Sequence, residues 1–284
     1  MAATLLDGRS LAEKIRAAVK EEVAELGALR LATVLVGDDP ASHLYISLKH
    51  KAAKEVGIEP IDHRLPATIS EAELLDFVRG LNEDDEVDAI LPQLPLPEGI
   101  DEARVIRAVD PVKDVDGFHP FNAGQLYLGR PTLVPATPRG VLTLLDEYKI
   151  PLDGARAVVV GRSDIVGKPM AHLLLQRNAT VTICHSHTDD LARQTLDADV
   201  LVVAVGIAGL IGADMVKQGA AVVDVGQNRT EAGLVGDVDP GVAERAAFLT
   251  PVPGGVGPMT IASLLQNTVL AARFRRGLLA FPGV

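Results

Sequence analysis

Four short runs in the second half of the chain, residues 156–160, 180–184, 200–205 and 221–225, read as strands, most of them near-continuous in Val, Leu and Ala, and segments of helical apolar spacing separate them. A strand that is apolar at every position, not at alternate ones, is expected to be buried on both faces. That arrangement arises when helices cover both sides of a parallel sheet. The first half alternates in the same way. Helices are expected at 8–27, from Asp39-Pro40 to about Val56, from the Ser70-Glu-Ala-Glu73 capping box, and at 101–109. Strands are expected at 31–36, 58–65 and 87–91. Residues 110–129 are expected to be turn-rich, and a helix is expected at 138–148. Strand–helix alternation throughout 284 residues predicts an α/β protein of two lobes. No internal repeat is visible.

Composition narrows the function. Aromatic residues make up 3% of the chain, there is no Trp, and the formal net charge is −11. These values argue against a nucleic-acid partner, whether bound by base stacking or by charge. A single cysteine, Cys184, rules out an internal disulfide and fits a cytoplasmic protein. It follows a strand-like run, so a buried strand end is a simpler reading than a nucleophile. No apolar run reaches membrane-spanning length.

In the second half, Ala157-Val-Val-Val160 leads into Gly161-Arg-Ser-Asp-Ile-Val-Gly167 and then a helix. Strand, glycine turn and helix together place a pyrophosphate on a helix N-terminus. The generic dinucleotide fingerprint is altered, however, with Ser163 at its second glycine and Val166 at its third. A plain strand–helix turn therefore stays open. The next strand ends in Cys184-His-Ser-His-Thr188, without the carboxylate that would bind a ribose 2′-hydroxyl. Arg162 and Ser186 are instead suited to a 2′-phosphate, which favours NADP. His185 and His187 lack a third ligand, so no metal site is expected. Gly206 and Gly226 end two further strands, either as cofactor-facing positions or as simple turn glycines.

In the first half, Tyr45 and Lys49 share a helix face. They are either a stacking ring beside a titratable amine or a solvated surface pair. Gln93 is the polar side chain in the proline-punctuated run Ala89–Pro97, and its amide needs partners. Lys113-Asp-Val-Asp-Gly117 brings two carboxylates to a turn, where one can pair with an amidine-like edge such as that of a pterin. Pro251-Val-Pro-Gly-Gly-Val-Gly-Pro-Met-Thr260 is a stiffened, glycine-shaped loop. It is expected to enter a helix with Pro258 at the first position and free N–H groups at Met259, Thr260 and Ile261. A ligand cradle and a tight interdomain turn both fit it.

Taken in order, these motifs closely resemble the bifunctional methylenetetrahydrofolate dehydrogenase/cyclohydrolase family over nearly the whole chain. The segments are 39–49, Gln93-Leu-Pro-Leu96, Lys113-Asp-Val-Asp-Gly117, 161–167, Cys184-His-Ser186 and Pro253-Gly-Gly-Val-Gly-Pro-Met-Thr-Ile261. The resemblance implies an α/β catalytic domain (residues 1–120 plus 260–284) and a Rossmann-like parallel-sheet NADP-binding domain (121–259), with a cleft between them. It implies NADP-dependent oxidation of 5,10-methylenetetrahydrofolate and hydrolysis of the product to 10-formyltetrahydrofolate, in one-carbon metabolism and purine biosynthesis. It implies a homodimer, with tetrahydrofolate derivatives and NADP as its small-molecule partners.

By the same resemblance Lys49 is the acid/base of hydrolysis, Gln93 tunes it, Tyr45 stacks on the folate and Asp116 anchors the pterin. Pro253, Gly254 and Gly255 are expected at the substrate. Gly161, Arg162, Ser163, Ile165, Val166, Gly167, Ser186, Gly206, Gly226 and Thr260 are expected at the cofactor. The chain departs from the family's usual residues at Pro92, Ala136, Ile207-Ala208 and Gln227. A monofunctional NAD-using dehydrogenase, a non-catalytic nucleotide sensor and a dehydrogenase of another small substrate are the competing readings. Retention of Tyr45, Lys49, Gln93 and Asp116 weighs against each of them.

Overall fold

The computed structural model describes residues 3–231 and 233–282. In chain order its elements begin β1 (Thr4–Leu5), α1 (Gly8–Leu26), β2 (Leu29–Val36), α2 (Pro40–Val56), β3 (Ile58–Leu65), α3 (Glu71–Glu83), β4 (Ala89–Pro92), α4 (Glu102–Ala108), α5 (Pro120–Tyr127) and α6 (Ala136–Glu147). They continue β5 (Arg156–Val160), α7 (Gly167–Gln176), β6 (Thr180–Cys184), α8 (Leu191–Thr195), β7 (Val200–Val203), β8 (Ala221–Asp224), β9 (Asn228–Thr230), β10 (Gly233–Val235), β11 (Phe248–Leu249) and α9 (Val256–Arg275). The expected two-part α/β architecture is observed. By contacts, residues up to Ala12 group with Thr137–Thr260, and Glu13–Ala136 group with the chain from Ile261 onward.

The second of these units holds a parallel three-stranded sheet in the order β3-β2-β4. Its central strand β2 is buried at every residue except Arg30. One face packs on Leu74 and Val78 of α3 and on Val105 of α4. Burial of each such side chain is worth about 1.5–3 kcal/mol. Pro92 ends β4 without breaking the sheet, because β4 is an edge strand and the next N–H, that of Gln93, still donates to Val34 O at 2.9 Å.

Helix α2 starts where the sequence places it. The Asp39 carboxylate accepts from the Ser42 N–H at 2.7 Å and the Ser42 hydroxyl at 2.8 Å, and Pro40 takes the first turn. Gly57 closes the helix in the left-handed region at φ 88°. Asp39→Ala is expected to cost about 1 kcal/mol, read as a lowered urea midpoint; an unmoved midpoint would show that the cap contributes nothing. Helix α5 lies in the stretch expected to be turn-rich. Its signals are a proline at the first position and a histidine cap, with His119 Nδ1 accepting from the Phe121 N–H at 3.0 Å.

The other unit holds a parallel six-stranded sheet in the order β1-β11-β8-β7-β5-β6. Four of the strands were expected; β1 and β11 have two residues each, too few to show a pattern. Burial on both faces holds for β7 and β8 but fails for β6, which is exposed at Thr180, Thr182 and Ile183. The reason is position: β6 is the sheet's edge. Cys184 at its end is fully buried, as expected.

Candidate functional site

Lys49 lies midway along α2 and is 9% exposed. Its Nζ donates to Gln93 Oε1 at 3.1 Å. The Gln93 amide is itself held, with Nε2 donating to Leu94 O at 2.7 Å and the backbone N–H bound to β2. The glutamine therefore offers Lys49 an acceptor of fixed direction. Burial pulls the Lys49 ammonium below its ordinary value of 10.5, and the Asp116 charge pushes the other way. A lysine so placed carries a larger neutral fraction near pH 7 than a surface lysine. Tyr45, one turn earlier, is 36% exposed beside Leu44 and Leu48 at 49% and 44%, an apolar face of α2 left open.

Asp116 is part-buried, and burial first and the Asp114 charge second push its carboxyl up to about 6, against the pull of Lys49. The turn that carries it is bolted down by residues whose roles the sequence did not reveal. Lys113, 3% exposed, donates from Nζ to the carbonyls of Leu81, Asn82 and Asp84 at 2.9, 2.7 and 2.7 Å. The C-terminus of α3 presents carbonyls without helical partners, which the Lys113 amine satisfies, while burial first and the Arg275 charge second lower its proton affinity. Asp114 accepts from the His119 N–H at 2.7 Å and from Asn122 Nδ2 at 2.9 Å, and the Thr132 hydroxyl donates to Asn122 Oδ1 at 2.6 Å. Asn267 of α9 donates to both Val115 O and Val134 O at 2.8 Å. The motif 113–117 could have flagged Lys113 and Asp114; nothing local flags Asn267, whose partners lie over 130 residues away.

In the six-stranded unit, β6 and β7 flank β5, so the chain reverses its direction of travel across the sheet between β5 and β7. The carboxyl ends at such a switch point are where ligands bind in open α/β sheets. The turns after β5 and β7 meet there. A Cβ on Gly161, at φ 129°, would stand 2.3 Å from Ala204 O, and one on Gly167 would stand 2.2 Å from Gly161 O. Only glycine permits this closeness. Ser163 Oγ accepts from the N–H groups of Val166 and Gly167 at 3.2 and 3.3 Å, which tightens the turn in place of the missing glycines.

Arg162 and Ile165 are exposed, Val166 is part-buried, and Ser186 is exposed just beyond β6. Arg162 forms no ion pair among the described residues. These features fit a dinucleotide with a 2′-phosphate: close-packed glycines for the pyrophosphate, an unpaired guanidinium, and no carboxylate directly after β6 until Asp189. His185 Nδ1 accepts from the His187 N–H at 3.2 Å, a turn contact. Among the described residues no group of three His, Cys, Asp or Glu side chains is placed to hold a metal ion.

The loop at 251–260 needs a correction. Helix α9 starts at Val256, not Pro258, so Pro258 sits third and the Thr260 N–H is inside the helix. The Gly255 N–H donates to Pro251 O at 2.8 Å, closing the turn early, and a proline is tolerated at the third position because first-turn N–H groups have no helical acceptor. Thr260 instead offers its hydroxyl, 2.9 Å from that of Thr137. Gly254 and Gly255 are buried, and Pro253 is exposed.

Comparison with known proteins also divides the chain in two, with somewhat different bounds. Residues 6–116 match the family model for the tetrahydrofolate dehydrogenase/cyclohydrolase catalytic domain, and residues 135–276 match that for its NAD(P)-binding domain. The chain is similar to the bifunctional protein FolD of Methanoculleus marisnigri, 55% identical over 95% of this chain and 97% of that one. It is similar to the crystal structure of the bifunctional enzyme FolD from Campylobacter jejuni, with TM-score 0.95 and 49% identity over 96% of this chain and 100% of that one. It also matches the Trypanosoma brucei dehydrogenase-cyclohydrolase solved with NADP and an inhibitor, with TM-score 0.92 and 40% identity over 99% and 100% of the two chains.

Proposed function

We propose a residue-level account of two reactions from one premise: the chain belongs to the tetrahydrofolate dehydrogenase/cyclohydrolase family. It is a bifunctional enzyme that oxidises 5,10-methylenetetrahydrofolate to the methenyl form and hydrolyses that product to 10-formyltetrahydrofolate. The observation that carries the account is the buried Lys49 amine, aimed by Gln93 and depressed in proton affinity.

In hydrolysis, water adds to the cationic methenyl carbon, and neutral Lys49 Nζ takes a proton from it. One N–H of Lys49 stays on Gln93 Oε1, which directs the remaining lone pair. The ammonium then returns its proton to the ring nitrogen as the carbon–nitrogen bond breaks and the formyl carbonyl forms. The hydroxyl proton leaves to solvent, so the net reaction releases one proton. Asp116 accepts hydrogen bonds from the pterin edge, and Tyr45 packs on the folate beside the open apolar face of α2. Pro253, Gly254 and Gly255 border the folate in the same proposal.

NADP⁺, when bound, supplies the hydride acceptor of the dehydrogenase step. The chain's task there is to bind and orient. Gly161, Ser163, Ile165, Val166 and Gly167 form the turn for the pyrophosphate, and Arg162 and Ser186 take the 2′-phosphate. Gly206, Gly226 and Thr260 complete the cofactor set. Homodimer assembly is part of the proposal, and the exposed edge strand β6, with Ile183 40% exposed, supports it. So is a cytoplasmic location; among the described residues no helix is long and apolar enough to cross a membrane.

Paired assays of the purified chain test the account: NADP⁺ reduction with methylenetetrahydrofolate, and loss of methenyltetrahydrofolate. Absence of both from folded protein would refute it. A pH profile adds a test of coupling. The Asp116 anion raises the proton affinity of Lys49. Asp116→Asn is therefore expected to shift the Lys49 limb of the hydrolysis profile to lower pH while raising the KM for folate. A limb that stays put or moves up would show that the two side chains are not coupled.

A further inference from the structure

The mechanism leaves unused two carboxylates at the carboxyl ends of β7 and β8. Asp224 ends β8 and is 4% exposed; Asp237 follows β10 and is fully buried. Neither has a cationic partner among the described residues. Backbone amides surround them instead. Asp224 accepts from the N–H groups of Gly226, Asp237 and Val238 at 2.9, 2.9 and 3.0 Å. Asp237 Oδ2 accepts from the N–H groups of Val205 and Gly206 at 2.8 and 2.9 Å, and its Oδ1 accepts from Asn228 Nδ2 at 2.8 Å. The backbone presses directly on both carboxylates. A Cβ on Gly236 would stand 1.7 Å from Asp224 Oδ2, and one on Gly226 would stand 2.3 Å from Asp237 Cγ.

Burying two carboxylates without a cation is costly, so what they hold is informative. Burial pushes Asp224 up to about 6 despite its three hydrogen bonds. The segment gripped is the turn after β7, one of the two turns at the switch point. In a trans peptide the carbonyl points opposite to the N–H that follows it. With the Val205 and Gly206 N–H groups turned onto Asp237, the carbonyls of Ala204 and Val205 point away from it. The Ala204 oxygen does face the Gly161 turn, at the closeness already given.

We propose that Asp237 is a positioning residue for the nicotinamide–ribose half of NADP⁺: it sets the backbone at Val205–Gly206 so that outward carbonyls accept hydrogen bonds from ribose hydroxyl or carboxamide donors. Asp224 braces it by holding the Asp237 and Val238 N–H groups. The inference rests on the reading of this unit as the NADP site.

The test is calorimetric binding of NADP⁺ and of adenosine 2′,5′-bisphosphate to the full chain and to Asp237→Asn. The substitution keeps shape but loses a charged acceptor for two N–H groups. The Kd for NADP⁺ is expected to rise about tenfold or more, while adenosine 2′,5′-bisphosphate, which lacks the nicotinamide half, binds as to wild type. Equal weakening of both ligands, or a lowered melting temperature with unchanged NADP⁺ affinity, would reduce Asp237 to a structural brace and overturn the proposal. If Asp237→Asn does not fold, Asn228→Ala removes only the bond to Oδ1. It should raise the NADP⁺ Kd selectively, and an unchanged or unselective Kd again overturns the proposal. Wild-type protein that binds neither ligand would instead sink the NADP reading itself.

Discussion

Replacing Lys49 by alanine is expected to lower the hydrolysis rate of methenyltetrahydrofolate by roughly 100- to 10,000-fold, the usual worth of a positioned acid/base. NADP⁺ affinity should be unaffected, because the lysine belongs to the three-stranded unit and the dinucleotide features to the other. Lys49→Arg sharpens the test. A guanidinium keeps the positive charge but cannot give up a proton at working pH. It should fail as alanine does if Lys49 is a base. Substantial hydrolysis by the arginine variant would mean that charge, not proton transfer, is what the site requires. Gln93 enters the same prediction as the partner that aims the lone pair, so Gln93→Ala should lower kcat more than it raises KM.

Arg162→Ala should cut the preference for NADP⁺ over NAD⁺ by about 10- to 100-fold, the range of one charge-assisted hydrogen bond. The ratio of kcat/KM values for the two cofactors measures it. Arg162 is exposed, unlike Asp237, so its loss should leave the melting temperature alone. An unchanged ratio would remove Arg162 from the 2′-phosphate and return the assignment to Ser186 or another group.

Most of the sheet-forming skeleton was legible because β2, β5, β7 and β8 are aliphatic enough to announce burial. Lys49 and Gln93 were legible as unusual residues, but their 3.1 Å contact spans 44 positions and only folding brings it about. What stayed hidden has a common cause. Lys113, Asn267 and Asp237 satisfy backbone groups far away in sequence, and an amide or carboxylate does not reveal its partner locally. Asp237 lies in a Gly-Asp-Val-Asp segment that reads as an ordinary polar turn. The start of α9 was misplaced because a proline is permitted anywhere in a first turn, so Pro258 marks the helix without marking its first residue. Helix α5 was missed because a histidine cap is a weaker signal than the serine or aspartate that opens α3 or α2.

Strand β1 has a consequence for how the protein is made. Thr4 and Leu5 pair with Phe248 and Leu249, so the earlier-made segment waits for the later one before this edge of the sheet can close. The three-stranded unit waits as well, since Asn267 must arrive to hold Val115 and Val134. Each unit is closed by contacts between residues far apart in sequence, and pairings of this range are slow to form. Until then the nascent chain carries β7 and β8, aliphatic on both faces, without a complete sheet to bury them. Exposure to aggregation during synthesis would follow from the order in which these partners are made, not from any weakness in the finished fold.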